Sequence, residues 1–381
     1  MKGKKITACL LAVLTIAVSV SGRVMALTPE ELAAPSAVLM EASTGKVLFE
    51  KNAHEQRPSA SITKVMTLLL VMEALDSGKI ALDDMVAASE HASSMGGSDI
   101  WLEPGETMSV DDLLKATVIA SANDAAVALA EHVAGSEESF VQQMNQKAAG
   151  LGMADTVFKN CNGLDEEGHL TSAYDVALMS RALIAHEDIF RYTQTWMDEL
   201  RGGKTQLVNT NKLLKSYSGI TGLKTGTTGQ AGSCMAATAE RDGMSLVAVV
   251  LGCATTQDRF SAAASLLDYG FSNWALASPA LPLAELVPVR VEQGMQSSVA
   301  TEAQELEGVV VPKGREGEVE CRVSLEESVT APVEQGQTVG RITYALDGEL
   351  LGETPVTAKA AVEELTFSSA FGRLFQALVS L

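Results

Sequence analysis

Ser61 and Lys64 are three residues apart, and together they have the chemistry of a serine nucleophile with its own base. The Ser-x-x-Lys motif at 61–64 follows Pro58, a helix-start residue, and precedes a mostly apolar segment, 65–75, that predicts a buried helix. Residues three apart share a helix face, so the Lys64 amine can take the Ser61 proton if burial lowers the lysine pKa. The pattern predicts acyl-transfer chemistry without a histidine.

A second Ser-x-x-Lys, Ser43 to Lys46, has the same spacing in a different context. Gly45 lies in a short loop between the apolar runs 37–40 and 47–49, which predicts a β-hairpin. In a hairpin the two side chains do not share a helix face. About one such motif is expected by chance in a chain of this length, so the preference for Ser61 depends on its context.

Ser121 and Asn123 form a second candidate pair. They flank Ala122 between the apolar segments 113–120 and 125–133, which predict two helices joined by a tight turn. A hydroxyl and an amide that project together from such a turn can line a cleft. Taken alone, the same two residues would be interpreted as caps of the second helix.

Lys224, Thr225 and Gly226 form the third motif. They precede a run, 233–239, that is expected to pair with 245–252 across an Asp-Gly turn. Lys224 and the Thr225 hydroxyl offer a cation and a donor for a carboxylate, and Gly226 would let a substrate approach the strand closely. The alternative is a solvated charge at a strand end, but three ordinary explanations would then have to coincide in this order.

These three motifs resemble those of the penicillin-recognising serine enzymes. Their separations are similar to those of the D-alanyl-D-alanine carboxypeptidases among the low-molecular-mass penicillin-binding proteins. The resemblance is strong over about residues 35 to 275, and the remainder resembles the family in architecture. The segments that resemble this family most are 57–67, 119–125, 162–165, 209–211 and 222–228.

The resemblance implies a hydrolase that removes the terminal D-alanine from peptidoglycan stem peptides ending in D-Ala-D-Ala. Ser61 would attack the carbonyl between the two D-alanines and form an acyl-enzyme, with Lys64 as its base. Ser121 would pass a proton to the leaving amine, and Asn123 would hold the substrate amide. The same resemblance implies that β-lactam antibiotics acylate Ser61.

The resemblance also implies a binding site for the substrate carboxylate and for the oxyanion. Lys224 and Thr225, next to Gly226, would bind the terminal carboxylate. The backbone N–H groups of Ser61 and Thr227 would form the oxyanion hole, in which each donor contributes about 3–4 kcal/mol.

Some relatives have histidine where this chain has Asn162, and we expect this departure to affect deacylation rather than acylation. A β-lactamase is the nearest enzymatic alternative. No Glu-x-x-Leu-Asn element lies between Ser121 and Lys224 to supply a deacylating glutamate, which counts against it. The alternative from another class is a catalytically silent module that binds wall peptides or β-lactams.

The N-terminus predicts export. Three lysines precede the apolar stretch 6–20, and small residues near position 26 suit a signal peptidase, so we expect residues 1–26 to be removed as a signal peptide. A retained membrane anchor is the alternative, although the stretch is shorter than the ~20 residues of a spanning helix. The formal charge of −20 at pH 7 excludes a nucleic-acid binder.

The metal-ligating residue types show no pattern. Five histidines are scattered without ligand spacing, and no Cys-x-x-Cys occurs, so we expect neither a metal nor a cofactor. Cys234 and Cys253 fall on the two strands of the hairpin predicted after Lys224. They could be neighbours, and we expect packed free thiols.

The predicted fold of the first part, 27–276, is α/β (α+β), a serine DD-peptidase/β-lactamase-like domain. It has an antiparallel sheet covered by helices and interrupted by an all-helical insertion, and the active site lies between the two. A capping pattern at Thr171-Ser172 leads into a helix over 176–184, and 257–267 predicts a helix that ends near Gly270.

Composition changes after residue 276. A linker, 277–282, opens a predicted small all-β sandwich over 277–362, which could be a spacer or a stabilising appendage. Its short β-rich runs are 287–291, 308–311, 319–323, 338–344 and 355–360.

The last segment, 363–381, predicts an amphipathic helix that lies in a membrane interface. It has one basic residue, Arg373, so attachment would be chiefly hydrophobic and would hold the protein at the outer face of the bacterial cytoplasmic membrane. A helix docked on its own sandwich is the alternative. The apolar residues recur mostly every three or four positions: Leu365, Phe367, Phe371, Leu374, Phe375, Leu378 and Leu381.

Overall fold

The computed structural model describes residues 26–372. The predicted signal peptide, except for its last residue, and positions 373–381 of the predicted anchor lie outside the described residues.

The first part mixes strands and helices as predicted. In chain order its elements are β1 (Ser36–Glu41), β2 (Val47–Lys51), α1 (Lys64–Asp76), β3 (Met85–Ala87), α2 (Glu90–Ser93), β4 (Thr107–Ser109), α3 (Val110–Lys115), α4 (Asn123–Ala134), α5 (Glu137–Gly150), α6 (Ala173–Ile184), α7 (Phe190–Thr193), β5 (Met197–Leu200), β6 (Thr205–Val208), β7 (Ile220–Thr228), β8 (Gly232–Arg241), β9 (Met244–Cys253) and α8 (Thr256–Asn273).

A five-stranded antiparallel sheet, in the order β2-β1-β9-β8-β7, forms the centre of this part. The insertion between β2 and β7 was predicted to be all-helical, but it also contains the short antiparallel pairs β3-β4 and β5-β6. Both predicted hairpins are present, since β1 pairs with β2 around Gly45 and β8 pairs with β9 across Asp242-Gly243. The second Ser-x-x-Lys therefore lies at a hairpin, as the sequence predicted. Strand β7 is an edge strand, so one side of it is open to the cleft.

Alternate residues of β9 contribute to two separate cores. Leu246 and Val250 pack in the core beside α8, whereas Val247 and Val249 pack in the core beside α1 and α6. A strand covered on both faces by helices must be apolar at nearly every position, and β9 has that composition. The helical layers on both faces hold the sheet in place, and the sheet in turn positions its edge strand β7.

Helix α1 covers the predicted segment 65–75, but Ser61 lies before this helix and not in its first turn. Ser61 lies in a 3₁₀ turn, Ala60–Thr63, and Lys64 is the first residue of the α-helix. Side chains at i and i+3 eclipse in a 3₁₀ turn, so Ser61 and Lys64 still face the same way. Ala60 opens the turn with φ +52°.

Helix α8 continues to Asn273, beyond the end that the sequence predicted at Gly270. A Cβ on Gly270 would lie 2.5 Å from Leu246 Cδ1 and 3.0 Å from Leu39 Cδ2. The glycine thus allows the helix to pack closely on the sheet instead of ending it.

The second part is all β, as predicted. Its strands are β10 (Trp274–Ala277), β11 (Val289–Glu292), β12 (Ser298–Val299), β13 (Thr301–Ala303), β14 (Val309–Pro312), β15 (Glu320–Leu325), β16 (Ser328–Thr330), β17 (Thr338–Leu346) and β18 (Glu349–Ala358). They form small sheets in the orders β10-β14, β12-β11-β16 and β13-β18-β17-β15, which share one core.

Strand β10 was not predicted. It follows α8 directly and pairs with β14 in the register Trp274↔Pro312 to Ala277↔Val309. From the hairpin β1-β2, Lys46 Nζ donates to the Val310 carbonyl at 3.3 Å and lies 5.3 Å from the Trp274 ring centroid. The β part is therefore attached directly to the central sheet domain.

Candidate active site

The Lys64 amine is the centre of the site. Its Nζ lies 3.0 Å from Ser61 Oγ, 2.5 Å from Asn123 Oδ1 and 2.7 Å from the Asn162 carbonyl oxygen. Three acceptors match the three N–H donors of an ammonium group. After losing one proton, the amine can keep both amide oxygens and turn its lone pair toward the Ser61 hydroxyl, which is the arrangement of a general base.

Burial adjusts Lys64 for this role. The side chain is 0% exposed, and burial lowers its pKa from 10.5 to about 7, while the nearby carboxylates of Asp99 and Asp124 act in the opposite direction. Within residues 26–372 no carboxylate hydrogen-bonds to its Nζ. A substantial fraction of the amine is therefore neutral at pH 7.

Ser121 and Lys224 form a second hydroxyl–amine pair in the cleft. Lys224 Nζ donates to Ser121 Oγ at 2.8 Å and to the Thr225 carbonyl at 3.1 Å. Ser121 ends the helical turn Ala116–Ala120 with φ +64°, and Asn123 begins α4, so the predicted helix-to-helix turn is present. Burial, followed by the positive charges of Lys64 and Arg259, lowers the Lys224 pKa well below 10.5. The two amines can therefore exchange protons with the hydroxyls beside them.

The loop that contains Gly96 and Ser98 orients Asn123. Its Nδ2 donates to the Gly96 carbonyl at 2.6 Å, and its backbone N–H donates to the Ser98 carbonyl at 2.7 Å. Asp124 holds the continuation of this loop, accepting from the N–H groups of Ile100 and Leu102. The amide oxygen of Asn123 is thereby directed at Lys64.

Strand β7 places Thr225, Gly226 and Thr227 along the open edge of the sheet. The Thr225 hydroxyl donates to Thr210 Oγ1 at 2.7 Å, and Arg259 donates to Thr227 Oγ1 at 2.8 Å and to the Gly226 carbonyl at 3.0 Å. Thr210 and Arg259 were not singled out from the sequence as site residues. Only the fold brings them to the Lys-Thr-Gly segment.

Gly226 allows a close contact within the protein that the sequence did not indicate. A Cβ there would lie 2.7 Å from the Ser59 carbonyl and 2.9 Å from the Ser61 backbone nitrogen. The close neighbour is thus the protein's own nucleophile turn. Because β7 and this turn approach so closely, the backbone N–H groups of Ser61 and Thr227 lie on adjacent segments.

Asn162 contributes its backbone rather than its side chain. The carbonyl accepts from Lys64, whereas its Oδ1 accepts from the Leu164 N–H and its Nδ2 donates to the Met95 sulfur at 3.4 Å. The Asn162 side chain thus hydrogen-bonds to Met95 and Leu164 and not to Ser61 or Lys64.

The state of the cysteines was a further sequence expectation. Cys234 and Cys253 are buried free thiols, as expected, and Cys161 and Cys321 are also free. Among residues 26–372, no three side chains of metal-ligating type are grouped closely enough to hold an ion.

Comparison with known proteins agrees with this architecture. Residues 23–255 match the D-alanyl-D-alanine carboxypeptidase family, and residues 284–364 match the penicillin-binding protein 5 C-terminal domain. The D-alanyl-D-alanine carboxypeptidase DacF of Bacillus subtilis is 45% identical over 338 residues, covering 88% of this chain and 87% of DacF.

Two solved structures extend the comparison. Penicillin binding protein 5 from Haemophilus influenzae superposes with a TM-score of 0.80 at 32% identity, covering 89% of this chain and 100% of that one. Penicillin-binding protein D2 from Listeria monocytogenes, in its ampicillin-bound form, has a TM-score of 0.58 at 34% identity over 63% of this chain and 98% of that one.

The fold is thus that of the penicillin-binding proteins. The chain belongs to the D-alanyl-D-alanine carboxypeptidase family.

The packing at Gly226 yields a testable prediction. Gly226→Ala should push β7 away from the nucleophile turn, lowering the free energy of unfolding by about 1–3 kcal/mol and slowing acylation by a β-lactam. Urea unfolding and intact-mass labelling measure the two effects. Gly229→Ala is the matched control, because a Cβ there meets no atom within 4 Å. Equal stability and labelling for the two variants would contradict the packing argument.

Proposed function

We propose that this protein is a serine-type D-alanyl-D-alanine carboxypeptidase that removes the terminal D-alanine from peptidoglycan stem peptides through a Ser61 acyl-enzyme. The observation that carries the proposal is the Lys64 amine, fully buried and 3.0 Å from Ser61 Oγ. The family and the similarity to solved penicillin-binding proteins support the same substrate and acylation by β-lactams.

In the acylation step, Ser61 Oγ attacks the carbonyl carbon of the penultimate D-alanine while its proton moves to Lys64 Nζ. The carbonyl oxygen becomes an oxyanion, which the backbone N–H groups of Ser61 and Thr227 would stabilise. The C–N bond then breaks, and the leaving amine takes a proton through Ser121, whose Oγ is 2.8 Å from Lys224 Nζ. Water hydrolyses the ester and restores Ser61.

The substrate would be held along β7. Its terminal carboxylate would lie against Lys224 and the hydroxyl of Thr225, next to Gly226, while the Asn123 amide would bind the peptide backbone. Lys224 is buried, so an incoming carboxylate would stabilise its charged form and gain a strong ion pair with low water access. This preference for a free carboxylate is what separates a carboxypeptidase from an endopeptidase.

A β-lactamase that deacylates with a glutamate-activated water is less well supported. In the part of the chain that the structure describes, no carboxylate hydrogen-bonds to Ser61 or Lys64. Asp165 accepts instead from Thr228 Oγ1 at 2.6 Å, and Glu166 accepts from Asn160 Nδ2 at 3.1 Å. The β-lactam adduct is accordingly expected to be long-lived.

The mature protein should release D-alanine from a peptide ending in Lys-D-Ala-D-Ala, and Ser61→Ala should release none. Peptide mapping after β-lactam treatment should locate the adduct on Ser61, with Ser43 unmodified as an internal control. Adduct formation without D-alanine release would indicate the silent binding module. Release together with rapid loss of the adduct would indicate a β-lactamase.

The pH dependence of acylation should report Lys64. Because its pKa is about 7, the rate should rise with pH as the amine loses its proton and level off above pH 8. Stopped-flow acylation by benzylpenicillin between pH 5 and 9 measures this profile. Lys64→Arg should abolish acylation although it keeps the charge, since arginine is not deprotonated in this range. Near-normal acylation by a folded Lys64→Arg protein would assign the base to another group.

We propose also that the protein is exported and held at the outer face of the cytoplasmic membrane by its C-terminal segment. Phe367 and Phe371 are 87% and 59% exposed, and their rings stack with centroids 6.2 Å apart. Two adjacent exposed rings at the end of an acidic chain are expected to enter an apolar phase. No helix within residues 26–372 is long and apolar enough to cross a bilayer.

Removal of residues 366–381 should release the protein from liposomes without changing peptidase activity. The cut falls after Leu365 because its N–H donates to the Gln293 carbonyl and Glu364 bridges Gly294. Burial of each Phe contributes about 1.5–3 kcal/mol to association.

The double variant Phe367→Asp, Phe371→Asp should also fail to float with liposomes. Leu283→Asp, Leu350→Asp is the matched control, because both leucines are exposed in the β part. A truncated protein that still floats would assign membrane binding to another part of the chain, and one that unfolds would show that the segment belongs to the β domain.

A further inference from the structure

A buried histidine lies directly behind the nucleophile turn, in a position that the sequence did not single out. His169 is 4% exposed, and its Nε2 lies 2.8 Å from the hydroxyl oxygen of Thr63. Thr63 is inside the Ser-x-x-Lys motif, between Ser61 and Lys64. The other ring nitrogen, Nδ1, lies 3.2 Å from the backbone nitrogen of Lys159.

These two contacts determine the tautomer of His169. The Lys159 N–H can only donate, so Nδ1 must accept, and the ring proton therefore lies on Nε2 and is donated to Thr63 Oγ1. Burial lowers the pKa of His169 to about 4, with Glu166 and Asp165 acting to raise it and Lys159 to lower it. The ring is neutral at the pH at which Lys64 titrates.

His169 ends a loop, 159–169, that also contacts the catalytic residues. From this loop the Asn162 carbonyl accepts from Lys64 Nζ at 2.7 Å, and the Cys161 carbonyl accepts from Thr67 Oγ1 at 2.5 Å. At Gly163, φ is +87° and a Cβ would lie 2.0 Å from the Ala60 carbonyl, so the loop packs directly on the turn that carries Ser61.

The His169–Thr63 hydrogen bond joins the far end of this loop to the same turn. Both partners are buried, so the bond is not in competition with water. Without it, the backbone pairing of Val157 with Leu170 would still close the loop, but the loop would lose its side-chain link to the nucleophile turn. The Asn162 carbonyl would then be free to move from Lys64, and water could reach the amine.

We propose that His169 is a positioning residue for Lys64, holding the Asn162 carbonyl on the amine and keeping water out through its hydrogen bond to Thr63. The inference rests on the proposed function, in which Lys64 is the base. Among the described residues, the His169 ring hydrogen-bonds to Thr63 and Lys159 and not to Ser61 or Lys64, so it acts on the amine through the loop and the turn.

The test removes the bond from each side and measures the titration of Lys64. His169→Leu deletes the donor and Thr63→Val deletes the acceptor, whereas His169→Gln keeps a donor for Thr63 and an acceptor for Lys159. The ¹³Cε signal of Lys64 in lysine-labelled full-length protein gives its pKa directly, and the acylation profile with benzylpenicillin gives it kinetically.

Burial is the main reason that the Lys64 pKa is low, so water entry should raise it. For His169→Leu and Thr63→Val we expect a midpoint about one unit higher and acylation at pH 7 about fivefold slower. His169→Gln should stay within about twofold of wild type. His132→Leu is the matched control, because His132 pairs with Asp84 away from the cleft.

A lower melting temperature with an unchanged Lys64 titration in either bond-deleting variant would make His169 a structural residue only and would overturn the proposal. If His169→Leu does not fold, Thr63→Val decides from the other side of the bond. If wild-type Ser61 is not acylated, the proposed function fails, while the Lys64 titration by NMR still decides the positioning role.

Discussion

The site depends on two lysine amines that are buried in one cleft, and no carboxylate of residues 26–372 is bonded to either. Buried ammonium groups are unfavourable, and the usual remedy is an ion pair. Here neutral oxygens replace it: hydroxyls from Ser61 and Ser121, the amide of Asn123 and main-chain carbonyls. A carboxylate partner would stabilise the charged amines and remove the base. Polarity without countercharge is therefore the constraint on the rest of the cleft.

That constraint explains the unusual backbone around the site. Ser121 adopts φ +64° and Ala60 φ +52°, a region that non-glycine residues rarely occupy. Gly163 and Gly226 allow two backbones to approach the nucleophile turn more closely than any side chain would permit. The main-chain carbonyl of Asn162 reaches Lys64 because the chain at the neighbouring Gly163 comes this near. The helical layers and the sheet edge hold these conformations in place.

The sequence predicted what periodicity and motif chemistry determine. The sheet hairpins, the buried helix after Ser61, the turn at Ser121 and the β-rich second part follow from local patterns of apolar and turn residues. Contacts between distant segments leave no such local pattern. The Asn162 carbonyl, Thr210, Arg259 and His169 each act through a partner far away in the chain, and a main-chain carbonyl carries no residue signature at all. Strand β10 was missed because its pairing with β14 is decided across 31 residues of intervening chain rather than by its own composition. The end of α8 was misplaced because a glycine can serve packing as well as termination.

The pairing of β10 with β14 has a mechanical meaning. Helix α8 enters β10 without a free linker, and Lys46 ties the sheet domain to the same pair of strands. If the C-terminal segment is anchored as proposed, the β part works as a stiff arm and not as a tether. The cleft would then stay at a nearly constant height above the lipid surface. Stem peptides in one layer of the wall would be trimmed, and those in layers above and below it would stay out of reach.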